Sequence, residues 1–349
     1  MAISIPAVDG QYMLETTAAL CRIPSPTGYT SRATAYTIAH ANKLGLSVEV
    51  GNKGSLLIPL GGEGAGGRVL SAHIDTLGVM VKEIKSNGRL KLTMIGGYDW
   101  STIEGEFCTI HTAKRGDITG TIVLTMSSFH IFGAAQRDLK RDQDSIEVRI
   151  DAHVERAEDV KALGISVGDF VSLDPRTTIT DNGYVKSRHL DDKACVAINF
   201  GVAKALIDAG LKPSKPSWLY VSVWEEVGHG TSSGIPDGVD EIVAVDMAAV
   251  GPGQTSDEMA TTVCVKDSTG PYHYGLSRQL IDLAEANGID CRTDIYNFYG
   301  SDVSQALRAG YDIRGALVGP GVDASHAYER LHVKSLEETA KLLTGYLLS

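Results

Sequence analysis

Long apolar runs are missing from this sequence. No stretch approaches the ~18 consecutive apolar residues that a membrane-spanning helix requires, so no such helix is expected. Basic blocks are missing as well. The 32 Lys and Arg are scattered among 43 Asp and Glu, for a formal charge of −11, which argues against nucleic acid or an anionic membrane as the main partner. The first residues, MAISIPAVDGQYMLET, contain no basic segment leading into an apolar one; no signal peptide is expected, and the expected compartment is the cytoplasm. Cysteine is sparse. Cys21, Cys108, Cys195, Cys264 and Cys291 are odd in number, dispersed and mostly inside apolar runs, so they read as reduced core residues rather than a disulfide framework or a thiolate metal site.

What is present is glycine, 38 residues of it, in a chain of 349. That fits an α/β protein with many tight turns, long enough for one large domain plus a second or an insertion. Helical spacing appears at 9–21, about Ser31 to Leu44, Lys193 to Gly210, Ser277 to Asn287, Asp302 to Ala309 and Leu336 to Leu348. From Gly78 to about Asn182 the pattern changes to short strands and turns, with one helix near Ala157–Leu163. Residues 77–182 therefore read as an inserted β-domain, flanked by catalytic segments 1–76 and 183–349.

The stretch that organises the chain is WLYVSVWEEVGHG, 218–230. A β-branched and aromatic run stops on Glu225 and Glu226 and then Gly228, which reads as a buried strand ending in charge. An exposed acid pair would be the simplest reading if the pattern occurred once. Three other apolar runs end similarly: 68–72 leads to His73 and Asp75, 241–245 to Asp246, and 314–319 to a loop with His326. Ligands bind outside the carboxyl ends of strands in open α/β sheets, and acids are costly to bury there without a metal or a shared proton. With Asp191 at a helix start, the set offers imidazole nitrogens and carboxylate oxygens without thiolate. It suits two Zn²⁺, Co²⁺ or Mn²⁺ ions bridged by one carboxylate, with Zn²⁺ the first expectation.

Each member has an ordinary alternative. His73 and Asp75 could be a surface His and a turn Asp, or a ligand and the acid holding its second ring nitrogen. Asp191 and Asp192 could cap a helix. Glu225 and Glu226 point opposite ways if the strand continues, so one can bind metal while the other takes a proton from water. His332 competes with His326, and His189 and His229 flank proposed ligands.

The landmarks PSPTGYT (24–30), SAHIDTLGVMV (71–81), GISVGDFVSLDP (164–175), GYVKSRHLDDKA (183–194), WEEVGHG (224–230), AVDM (244–247), YGSDVS (299–304) and SHAYE (325–329) occur in this order. With them the chain resembles, over nearly its whole length, the TET-type (tetrahedral) dinuclear metalloaminopeptidases, family forty-two of the metallopeptidases. The resemblance implies a mixed-sheet α/β/α zinc-peptidase-type domain with an inserted β-barrel-like domain. It implies that His73, Asp191 and Asp246 hold one metal and Asp191, Glu226 and His326 the other. Glu225 would be the general base and Asp75 the supporting acid. It also implies cleavage of small peptides, dimerisation through the insertion, and growth into larger hollow particles such as a tetrahedral dodecamer. Two departures, HGTSSG after the acid pair and AYER after His326, resemble a bacterial branch associated with biosynthesis of an N-acetylglutaminylglutamine amide osmolyte. An amidase or deacylase acting on such a dipeptide, and a non-catalytic assembly protein, are the rival readings.

Overall fold

Four of the apolar runs form the parallel centre of one sheet. In the computed structural model, which describes residues 3–349, the strands Ser217–Ser222, Gly67–His73, Val239–Val245 and Arg314–Asp323 lie side by side in that order. Ser222 pairs with His73, and Val245 with Val318. Parallel strands are covered on both faces and so need apolar residues almost throughout; every residue of Gly67–His73 is buried. Side chains alternate between two cores. Leu70, Ala72, Val221 and Val243 share one with residues of the helices Gly10–Cys21, Leu190–Asp208 and Val333–Leu348, while Val69, Tyr220, Ile242 and Ala244 share the other with Val303 and Ala306 of the helix Asp302–Arg308. The result is a three-layered α/β/α unit, with antiparallel strands extending the sheet.

The chain divides into two compact units. One comprises residues up to 75 together with 176–349, the other residues 76–175. The insertion expected to reach 182 stops earlier, because Thr178–Ile179 pairs with Tyr184–Ser187 and both join the large sheet through Glu329–His332. The smaller unit is a closed barrel of six strands in the order Gly78–Ile84, Leu90–Ile95, Ile146–Ile150, Gly116–Leu124, Phe107–Thr112 and Phe170–Leu173. Its interior is aliphatic, with Val79, Leu92, Ile110, Ile122, Val148 and Val171 fully buried. It carries the expected helix as Ala157–Ala162 and two further short helices, Phe129–Phe132 and Ala134–Arg137.

Among the described residues no helix is long and apolar enough to cross a membrane. All five cysteines are free, four of them buried.

Candidate metal centre

The carboxyl ends of the four parallel strands bring the proposed side chains together. His73 ends its strand with 2 % of its surface exposed. Its Nε2 lies 3.1 Å from Asp191 Oδ1 and 3.8 Å from Glu225 Oε2. The other Asp191 oxygen lies 3.2 Å from His326 Nε2, which is 3.8 Å from Glu226 Oε2. One carboxylate thus sits between two imidazoles and presents a separate oxygen to each. Asp246 follows the strand Val239–Val245, and its Oδ1 accepts from the N–H of Met247 at 2.7 Å. Gly319 permits this arrangement: a Cβ there would lie 1.6 Å from the carbonyl oxygen of Asp246. Two sets of donor atoms each fall within 4.8 Å of one another, one from His73, Asp192 and Asp246, the other from His73, Asp191 and Glu226.

The local backbone differs from the expected pattern in three places. The strand before the acid pair stops at Ser222, and Glu225–Val227 is a single 3₁₀ turn closed by Gly228 at φ 80°. A left-handed residue ends such a turn most readily when it has no Cβ. Asp191 and Asp192 lie within the first turn of Leu190–Asp208 but have non-helical φ/ψ, and the peptide between them is cis. His73 Nδ1 lies 3.0 Å from the carbonyl oxygen of Asp75 and 3.6 Å from its carboxylate. The Asp75 carboxylate instead accepts from Thr27 Oγ1 at 2.6 Å and from the backbone N–H of Glu225 at 3.2 Å.

Other side chains around the centre came without a sequence signal for their role. Glu329 accepts the backbone N–H of Asp191 on one oxygen and that of His326 on the other, at 3.2 and 3.1 Å. It holds His326 at φ 62°, a conformation that costs a non-glycine residue of the order of 1–3 kcal/mol. Asp302 accepts the N–H of Thr231 at 3.1 Å, in the loop after the acid pair. Asp192 binds the backbone N–H of His73 at 3.0 Å. His332 faces elsewhere: its Nδ1 caps the last helix at Lys334, and its Nε2 lies 2.9 Å from the Asn182 carbonyl. His189 is buried and His229 is exposed against Trp224.

Charge is badly unbalanced here. Asp75, Asp191, Asp192, Asp246, Asp302 and Glu329 are buried and Glu225 and Glu226 half-buried, with two imidazoles as the nearest counter-charges. Burial and the neighbouring Asp191 push the Glu226 carboxyl up to about 8 and that of Asp246 up to about 7. Burial, then Asp246 and Asp302, drives Glu225 well above its usual range against the opposing pull of His73. Asp191 moves down, because its contacts with His326 and His73 outweigh burial. Glu226 Oε1 and Asp192 Oδ1 are buried with no hydrogen-bond partner. Orphaned buried carboxylate oxygens are expensive, and divalent cations would meet that deficit.

The sequence profile of the M42 glutamyl aminopeptidases matches residues 54–342. YhfE of Bacillus subtilis (strain 168), whose name proposes an aminopeptidase, is 46% identical over 331 residues, 95% of each chain. The chain belongs to the M42 glutamyl aminopeptidase family. Its fold is that of the TET peptidases. The Pyrococcus horikoshii TET1 peptidase superposes with a TM-score of 0.84 at 23% identity, over 97% of this chain and 99% of that one. A TET aminopeptidase from a marine sediment Thaumarchaeota archaeon gives 0.87 at 17%, over 97% and 96%. The M42 chain is accordingly a metallo-aminopeptidase, a hydrolase acting on peptide bonds. Its family is dinuclear and metal-dependent. The donor set fits two such ions: imidazole nitrogen and carboxylate oxygen are ligands for first-row divalent metals, and the unpartnered Glu226 and Asp192 oxygens lie within the cluster.

Proposed function

We propose that this aminopeptidase removes N-terminal residues from small peptides. In this reading His73, Asp191 and Asp246 hold one divalent ion, Asp191, Glu226 and His326 hold the other, and Glu225 is the general base. The observation that carries the reading is the Asp191 carboxylate, with one oxygen 3.1 Å from His73 and the other 3.2 Å from His326. The bound ions, zinc before cobalt or manganese, would polarise the scissile carbonyl and acidify water. Glu225 Oε2 takes the proton of the attacking water and returns it to the leaving amine nitrogen. Asp75 holds the backbone N–H of Glu225 and, through its own carbonyl, the second ring nitrogen of His73. Asp192 fixes the His73 backbone, and Glu329 fixes those of Asp191 and His326.

A panel of aminoacyl amides, short peptides and N-acylated amino acids, assayed with Zn²⁺, Co²⁺ and Mn²⁺, tests the reading. Turnover of free-amine peptides supports it; turnover restricted to N-acylated substrates overturns it in favour of a deacylase.

Self-association is the second part of the proposal. The barrel unit exposes Phe129 (61 %), Ile131 (76 %) and Phe132 (38 %) on one short helix, an apolar cluster of the kind that marks an interaction surface. The P. horikoshii TET1 peptidase can assemble into a tetrahedron or a large octahedral shell. Here the barrel would make the dimer contact, with dimers building larger particles. A monomer in sedimentation at micromolar concentration and physiological salt would overturn this.

A further inference from the structure

We infer that Thr27 is a positioning residue for hydrolysis, its hydroxyl orienting the Asp75 carboxylate that holds the backbone N–H of Glu225. The inference rests on the assignment of Glu225 as base. Thr27 and Asp75 are 48 residues apart in sequence, and Asp75 and Glu225 are 150 apart. Thr27 is 4 % exposed and Asp75 fully buried. The contact between Oγ1 and Oδ2 is short, 2.6 Å. The opposite oxygen, Oδ1, accepts from Glu225 at the longer distance of 3.2 Å. The terminal torsion of an Asp side chain is soft, so the carboxylate plane depends on what grips its far oxygen. Thr27 is that grip, and it sets whether Oδ1 faces the first residue of the 3₁₀ turn.

The loop that carries Thr27 has other anchors. Ser25 Oγ donates to the carbonyl of Ile74 at 2.7 Å, and the buried Lys193 donates to that of Ile23 at 2.6 Å. Loss of the Thr27 hydroxyl alone therefore leaves the loop in place and releases only the carboxylate. Small displacements of a reacting group are costly in rate, and a hydrogen bond to a charged group is worth about a tenfold change or more.

Thr27→Val, which keeps the shape, should lower kcat about tenfold with KM little changed and two metal ions retained. In the metal-free protein, the Glu225 amide should exchange its hydrogen faster than in wild type, by about tenfold. Thr27→Ser should restore both. Ser25→Ala serves as the control for loop anchoring: it should lower the melting temperature and leave kcat near wild type. On an Asp75→Asn background, Thr27→Val should add little. The inference is overturned if Thr27→Val has wild-type kcat and wild-type exchange at Glu225, or if its loss tracks loss of metal and is not recovered by Ser. If Glu225→Gln itself turns over normally, the base assignment fails; if Glu225→Gln is inactive while Thr27→Val is normal, only the role of Thr27 fails.

Discussion

The two ends of the parallel sheet treat buried acid in opposite ways. At the amino end, Glu241 is 3 % exposed and sits between Arg68 and Arg314, its register partners on the two flanking strands. Arg68 reaches it at 3.0 Å, Arg314 at 2.8 Å and the Tyr346 hydroxyl at 2.7 Å. Burial would raise its carboxyl, but Tyr346 and the two guanidinium groups bring it below the usual range. At the carboxyl end, Glu226 and Asp192 keep orphaned oxygens, and Glu225, Glu226 and Asp246 are pushed up while Asp191 moves down. An acid serving the fold is supplied with cations from the chain itself. A set of acids left to repel one another is built for cations that arrive from outside.

The difference can be broken at either end. The largest effect concerns the ions themselves. Chelation should abolish hydrolysis and added divalent metal should restore it; full turnover in a verified metal-free sample would contradict the dinuclear reading. Next, Glu241→Ala removes the carboxylate partner of the buried Arg68 and should cost about 3–5 kcal/mol of folding stability, with kcat per folded molecule unchanged. Denaturant unfolding alongside an activity assay checks both. Smaller again, Glu329→Gln can accept only one of the two backbone N–H groups it now serves and should cost about 1–3 kcal/mol. The metal affinity of this variant, followed by titration, should fall because Asp191 and His326 lose their common anchor. The smallest effect is pH-dependent. Glu241 has a lowered folded-state pKa, so its contribution is complete above the unfolded value of 4.5 and disappears as pH falls through the folded one. The stability gap between wild type and Glu241→Gln should be constant near neutrality and narrow below that value.

Much of the catalytic unit was legible because strand pattern and chemistry coincide in it. Apolar runs ending at His73, Glu225 and Asp246 announce both a buried parallel strand and what stands at its end. His326 was legible only as one of two histidines in the same segment; the turn that points it at Asp191 and sends His332 to Asn182 is a tertiary matter. Glu329 and Thr27 carried no signal of role, since an acid after a loop and a Thr between Pro and Gly are commonplace. Their function arises from contacts across 138 and 48 residues. The acid pair was expected at the very end of its strand, facing opposite ways if the strand continued, and nothing in the run before it marks Ser222 as the last strand residue. The turn is set by Gly228 and by the N–H groups of His229 and Gly230 folding back on the Trp224 carbonyl. In the barrel unit the strands followed from alternation, but the exposed helix Phe129–Phe132 did not, because its four residues are too few to show helical spacing.

The measurement that bears most directly on the central claim is metal content and turnover, side by side, for Glu225→Gln and Glu226→Gln. Glu225→Gln should keep two ions and the fold while losing turnover by about 10²–10⁴-fold. Glu226→Gln should bind one ion weakly and recover part of its activity in excess metal. Loss of an ion from Glu225→Gln with both retained in Glu226→Gln would reverse the pair; undiminished turnover in both would remove this end of the sheet from the chemistry altogether.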